Sequence, residues 1–118
     1  MMNRMRALGL VRDLFFRTKI DASAEALKVE VVYASTLEAA RARCAEVVPA
    51  VVFADLSDQN FPGRETAAAM RQIAPAAKLI GFASHVDLKA LAAAREAGFD
   101  LVLSRQEFSA RLPELLKS

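Results

Sequence analysis

Five short apolar runs punctuate the chain at regular intervals: residues 6–11 (RALGLV), 28–33 (KVEVVY), 50–54 (AVVFA), 78–83 (KLIGFA) and 100–103 (DLVL). Each is brief and mostly β-branched or aliphatic, as a strand requires. The third is apolar throughout, the mark of a parallel strand covered on both faces. Between the runs, apolar residues recur at helical spacing. Phe16, Ile20, Ala24 and Leu27 share one side of a helix predicted within residues 13–27, and Phe15 falls off that stripe. Leu37, Ala40, Cys44, Val47 and Val48 mark a second helix, with Ser35 and Glu38 at capping-box spacing. Thr66, Ala69, Met70 and Ile73 mark a third, closed by Pro75. Leu88, Leu91, Ala94 and Ala97 mark a fourth, with Ser84 as its cap and Gly98 as its stop. Ser104 and Glu107 again have capping-box spacing. Pro113 would break a helix running on from them, so the last helix is expected to be very short and to start near Leu112.

Strands alternating with helices predict an α/β domain built on a parallel sheet. With 118 residues and no repeat or linker-like stretch, residues 1–118 read as one domain with a real hydrophobic core. Such sheets bind ligands beyond the carboxyl ends of their strands, at the topological switch point. The polar residues just after each strand are therefore the candidates for chemistry. They are Arg12 and Asp13, Ser35 and Thr36, Asp55, Ser57 and Asp58, Ser84 and His85, and Ser104 and Arg105.

Composition narrows the choices. The 54% apolar content excludes a disordered chain. Sixteen basic and fourteen acidic residues, well mixed, leave a net charge of +2 and no basic stripe for a phosphate backbone, so no nucleic-acid partner is expected. No apolar run approaches the roughly 20 residues that span a bilayer, so a soluble protein is expected. The single Cys44 permits no internal disulfide and fits a reducing, cytoplasmic setting. Gly-rich nucleotide loops, a nucleophile elbow and a zinc ligand set are all missing from the sequence.

The stretch VVFADLSDQN carries the sharpest question, because four apolar residues lead directly to Asp55 and then to a polar loop. Asp55 either satisfies the backbone at a strand end or is held up for chemistry. In a flavodoxin-like strand order, the first and third strands are neighbours and bring Asp13 and Asp55 together. Two carboxylates, a loop carbonyl and waters could hold a hard cation such as Mg²⁺. Asp13 is equally suited to capping the first helix.

The order of elements, the length and VVFADL with its terminal aspartate resemble the response-regulator receiver domain, the CheY-like module of two-component signalling. KLIGFASH is similar to that family's fourth strand and the turn after it, and AAAREAGFDLVLSR to its fourth helix and fifth strand. The resemblance covers nearly the whole chain. It implies a three-layer flavodoxin-like sandwich with strand order 2-1-3-4-5.

It also implies roles for individual residues. Asp55 stands at the phospho-acceptor position, and Asp13, Asp55 and Ser57 stand at the Mg²⁺ positions. Arg12 replaces the second acidic residue of the usual pair. Ala83 replaces a hydroxyl residue whose part Ser84 could take through a one-residue shift. Arg105 replaces the lysine that pairs with the phosphoryl oxygens, Gln106 the proline after it, and Val102 a switch aromatic. The resemblance thus implies a signalling domain rather than an enzyme, with its phosphorylation site altered and its Mg²⁺ binding weakened or lost. It would act through contacts with a histidine kinase, a downstream signalling protein or a second copy of itself. Two other readings stay open: a working phospho-acceptor at Asp55, and a flavodoxin-like domain that binds a small ligand in the same crevice.

Overall fold

The protein, seen in a computed structural model that describes residues 5–117, alternates strand and helix five times. The elements are β1 (Arg6–Leu10), α1 (Leu14–Leu27), β2 (Glu30–Tyr33), α2 (Leu37–Glu46), β3 (Val51–Asp55), α3 (Gly63–Ile73), β4 (Lys78–Ala83), α4 (Leu88–Ala97), β5 (Leu101–Ser104) and α5 (Arg105–Leu115). All strand pairs are parallel, in the order β2-β1-β3-β4-β5. This is the flavodoxin-like sandwich expected from the sequence, with its switch point between β1 and β3.

Successive strand residues face opposite sides of a sheet, and the core divides accordingly. Leu8, Leu10, Val52, Ala54, Leu79 and Ala83 pack with residues of α2, α3 and α4. Ala7, Val51, Phe53, Ile80, Phe82 and Leu103 pack on the other side with Phe16, Ile20 and Ala24 of α1 and Phe108, Leu112 and Leu115 of α5. Asp55 shares the parity of Val51 and Phe53, so its side chain belongs to the α1/α5 side of the sheet. Gly81 admits close packing on the opposite side, where an added Cβ would sit 2.6 Å from the Leu56 side chain.

The helix ends follow ordinary capping chemistry, with several departures from the sequence reading. Asp13 caps α1, accepting from the N–H groups of Phe15 and Phe16. Thr36, not Ser35, caps α2 through the Ala39 N–H, so the expected Ser35–Glu38 box gives way to a cap one residue later. That helix ends at Glu46, which leaves Val47 outside it and Val48 exposed. Asp87, not Ser84, caps α4 through the Ala90 N–H, because the turn after β4 continues for three further residues. Leu88 consequently lies at the start of the helix, 71% exposed, rather than in the core.

The expectation of a short last helix is also corrected. α5 starts at Arg105 behind a complete Ser104–Glu107 capping box and runs through Pro113 to Leu115. Proline removes one hydrogen bond from a helix interior. The burial of Phe108, Leu112 and Leu115 against the sheet offsets that loss.

Candidate functional site

Asp55 ends β3 with only 6% of its surface exposed. Its Oδ2 accepts from Arg105 Nη2 at 3.0 Å, and its Oδ1 accepts from the Ser57 N–H at 3.1 Å. The second guanidinium nitrogen of Arg105 lies 4.0 Å from Asp13 Oδ2. Arg105 therefore connects the two carboxylates that the strand order brings to one edge. Beneath it lie two aromatic rings, with the guanidinium carbon 5.1 Å from the centre of Phe16 and 5.7 Å from that of Phe82. An arginine over aromatic faces gains cation–π attraction and loses mobility. Phe82 is the register partner of Asp55 on β4, and it stacks on Phe108 with centroids 4.3 Å apart. The shelf under Arg105 is thus part of the hydrophobic core.

Arg12 takes a different partner. Its Nε and Nη2 donate to Asp58 Oδ2 and Oδ1 at 2.6 and 3.1 Å, a two-point pairing between the loops after β1 and β3. Asn60 ties the same region to the end of β2 by donating to the Ser35 carbonyl at 2.9 Å, and Arg17 donates to Ser35 Oγ. On the other flank, Ser57 Oγ accepts from the Ser84 N–H at 3.3 Å and lies 3.5 Å from Asp87 Oδ2. Ser84 Oγ accepts from the Val86 N–H, turned along its own loop. Side-chain bonds therefore link the loops at this edge of the sheet.

The electrostatics follow from these partners. Burial pushes the Asp55 carboxyl above its ordinary value, with the Arg105 charge and the Ser57 N–H opposing that rise. Asp58 is held below its ordinary value by the hydrogen bond from Arg12. An open cavity of about 510 Å³ is lined by Arg12, Asp55, Ser57, Asp58, Asn60 and Arg105 among others.

The residues at this edge do not fit a magnesium ion. Hard cations need several oxygen ligands free to turn toward the metal. Here both oxygens of Asp55 and both of Asp58 are already engaged, and Asp13 Oδ1 caps α1. A guanidinium occupies the space beside Asp55 and Asp13 where a cation would balance them. Among the described residues, no group of three His, Cys, Asp or Glu side chains is arranged to hold a metal ion.

The structure brings Asp13, Asp55, Ser57 and Arg105 to one place, while the hydroxyl of Ser84 is directed elsewhere. Sequence reasoning missed the Arg12–Asp58 pair and the aromatic support of Arg105. The Phe82 part of that support was foreshadowed by parity, since Phe82 lies on the same side of the sheet as Asp55.

No family model matches the chain, and no curated protein does. The fold itself is well represented among solved structures. A response regulator from Thermotoga maritima superimposes with a TM-score of 0.75 at 15% identity, over 98% of this chain and all of that one. A response regulator from Burkholderia pseudomallei, described with a phosphorylated aspartic acid, a calcium ion and citrate, superimposes with a TM-score of 0.78 at 15% identity, over 97% of this chain and 66% of that one. The beryllofluoride-activated NtrC4 receiver domain dimer superimposes with a TM-score of 0.76 at 16% identity, over 95% of this chain and 96% of that one. The chain has the fold of response-regulator receiver domains.

Proposed function

We propose that this protein is a receiver-like signalling module that works by docking to other proteins, with its phosphorylation site replaced by an internal ion pair. The observation that carries this reading is the position of Arg105, bonded to Asp55 and facing Asp13. Phosphoryl transfer requires an accessible acceptor oxygen and cations that neutralise charge spreading over the phosphoryl oxygens. In this chain the acceptor-position carboxylate is withdrawn from water and spends its charge on a guanidinium. Ala83, buried at the end of β4, offers no hydroxyl there. The neighbouring loops are joined by side-chain bonds that need no ligand. Such a domain presents one surface constitutively, to a histidine kinase, a downstream signalling protein or a second copy. The NtrC4 comparison supports the last possibility only as a precedent for dimers on this fold. Among the described residues, no helix is long and apolar enough to cross a membrane.

The test is incubation with acetyl phosphate and Mg²⁺, followed by intact-protein mass, with Asp55→Asn as control. Little or no gain of phosphoryl mass is expected, because losing one positioned donor at a reacting oxyanion lowers rates by about 10²–10³. Prompt phosphorylation absent from the control would overturn the docking-module reading in favour of a working acceptor at Asp55.

A further inference from the structure

Arg105 has a second exposure. Besides lining the carboxylate cavity, it lines a groove of about 430 Å³ between α1, the turn after β4 and the start of α5. It is the one residue common to the two linings. The two spaces it separates differ in charge. Asp55 and Asp58 line the first. The groove is lined by Phe16, Lys19, Ser84, His85 and Ser109 beside Arg105, with Gln106 completing it and no acidic residue among them.

From this we propose that the groove binds a small aromatic anion, a carboxylate or phosphate ester carried on a ring, with Arg105 shared between that ligand and Asp55. The volume falls within the roughly 300–1,000 Å³ usual for small-molecule sites. Phe16, 7% exposed beneath Arg105, supplies an apolar aromatic edge, and Lys19, with no ion pair among those found in the described residues, supplies a free ammonium. The hydroxyls of Ser84 and Ser109 and the Gln106 amide can donate to an oxyanion. The nearest acidic side chain on α5, Glu107, is turned back onto the Ser104 N–H and does not line the groove. An anion entering the groove competes with Asp55 for the guanidinium, so binding there loosens the bridge between β3 and α5. The proposal stands apart from the docking-module reading, since either can hold without the other.

The experiment is an NMR titration of the intact chain with phenyl phosphate, inorganic phosphate and phenol as separate probes. Phenyl phosphate should bind saturably in the range of about 1–10 mM, in keeping with the affinity limits of small ligands. Its shifts should centre on the amides of Ser84, His85, Gln106 and Ser109, and the Asp55 carboxyl carbon should move with them. Inorganic phosphate and phenol should each bind at least about tenfold more weakly, because each lacks one half of the recognised chemistry. Lys19→Glu, on an exposed position, and Gln106→Glu, which favours a helix first turn, should each weaken phenyl phosphate about fivefold or more while the fold persists. No saturation by phenyl phosphate, equal binding of inorganic phosphate, or indifference to both substitutions would overturn the site. Binding that leaves the Asp55 carboxyl unmoved would overturn the sharing of Arg105.

Discussion

Arg105 Nη2 lies 3.0 Å from Asp55 Oδ2, joining the first residue of α5 to the last residue of β3 across fifty positions of sequence. β4 lies between their strands, so the contact passes over Phe82. A charge this well buried depends on its partner, since breaking one side of a buried pair leaves the other without compensation.

Arg105→Met, which leaves the Asp55 carboxylate buried without its partner, should therefore destabilise the protein at neutral pH by on the order of 1 kcal/mol or more, the usual cost of losing a charge-assisted bond. Urea melts of the two proteins read the change, and an unchanged or raised midpoint would count against the pair.

The pH dependence follows from the direction of the Asp55 shift. Burial raises this carboxyl above its ordinary value and Arg105 lowers it part of the way back. The folded chain then keeps the proton to higher pH than the unfolded chain. The contribution to stability is full below the unfolded value, near about 4, and is lost as pH rises through the folded value. Asp58 has the opposite sign: held low by Arg12, it adds stability above its unfolded value that is lost as pH falls through the folded one. Arg105→Met should move the Asp55 titration further upward and deepen its loss of stability on the alkaline side. Carbon NMR titration of the Asp55 carboxyl reads the shift directly, and an unmoved midpoint would show that the guanidinium does not act on it.

Phe108 is fully buried, stacks on Phe82 and lies 5.8 Å from Phe16, so it supports the shelf beneath Arg105. Phe108→Ala should cost about 3–5 kcal/mol through lost burial and the cavity left behind. A loss below about 1 kcal/mol in urea melts would mean that the shelf collapses without penalty.

Pro113 sits in α5 with its ring exposed to solvent. Pro113→Ala restores a helical N–H and removes a steric conflict, worth about 3 kcal/mol in an ideal helix. Against this stands about 0.4–1 kcal/mol of unfolded-state entropy that proline withholds. A net stabilisation of about 2–2.6 kcal/mol is expected, read from thermal or urea melts. Destabilisation would show that α5 is shaped around the proline.

Much of this molecule is determined by short-range pattern. The five strands, the burial of β3 on both faces and the side on which Asp55 emerges follow from the short apolar runs and the parity within them, because pleated strands must send successive side chains to opposite layers. The Ser104–Glu107 box is equally local, four residues closing on themselves whatever lies beyond. Thr36 and Asp87 were less legible, since each competes with a nearby serine of nearly equal capping ability and the loop geometry chooses between them. The length of α5 was misjudged because helix propensity at Pro113 is weaker than the packing of Phe108, Leu112 and Leu115. Tertiary structure alone decided which arginine meets Asp55. Arg12 and Arg105 both follow strands that end at the same edge, and both carry the same charge. The topology gives Arg12 a two-point fit to Asp58 in the loop after β3, while Arg105 is held over Phe16 and Phe82 at the reach of Asp55. That choice depends on distances between elements about fifty residues apart, and the local periodicities that mark strands and helices do not encode them.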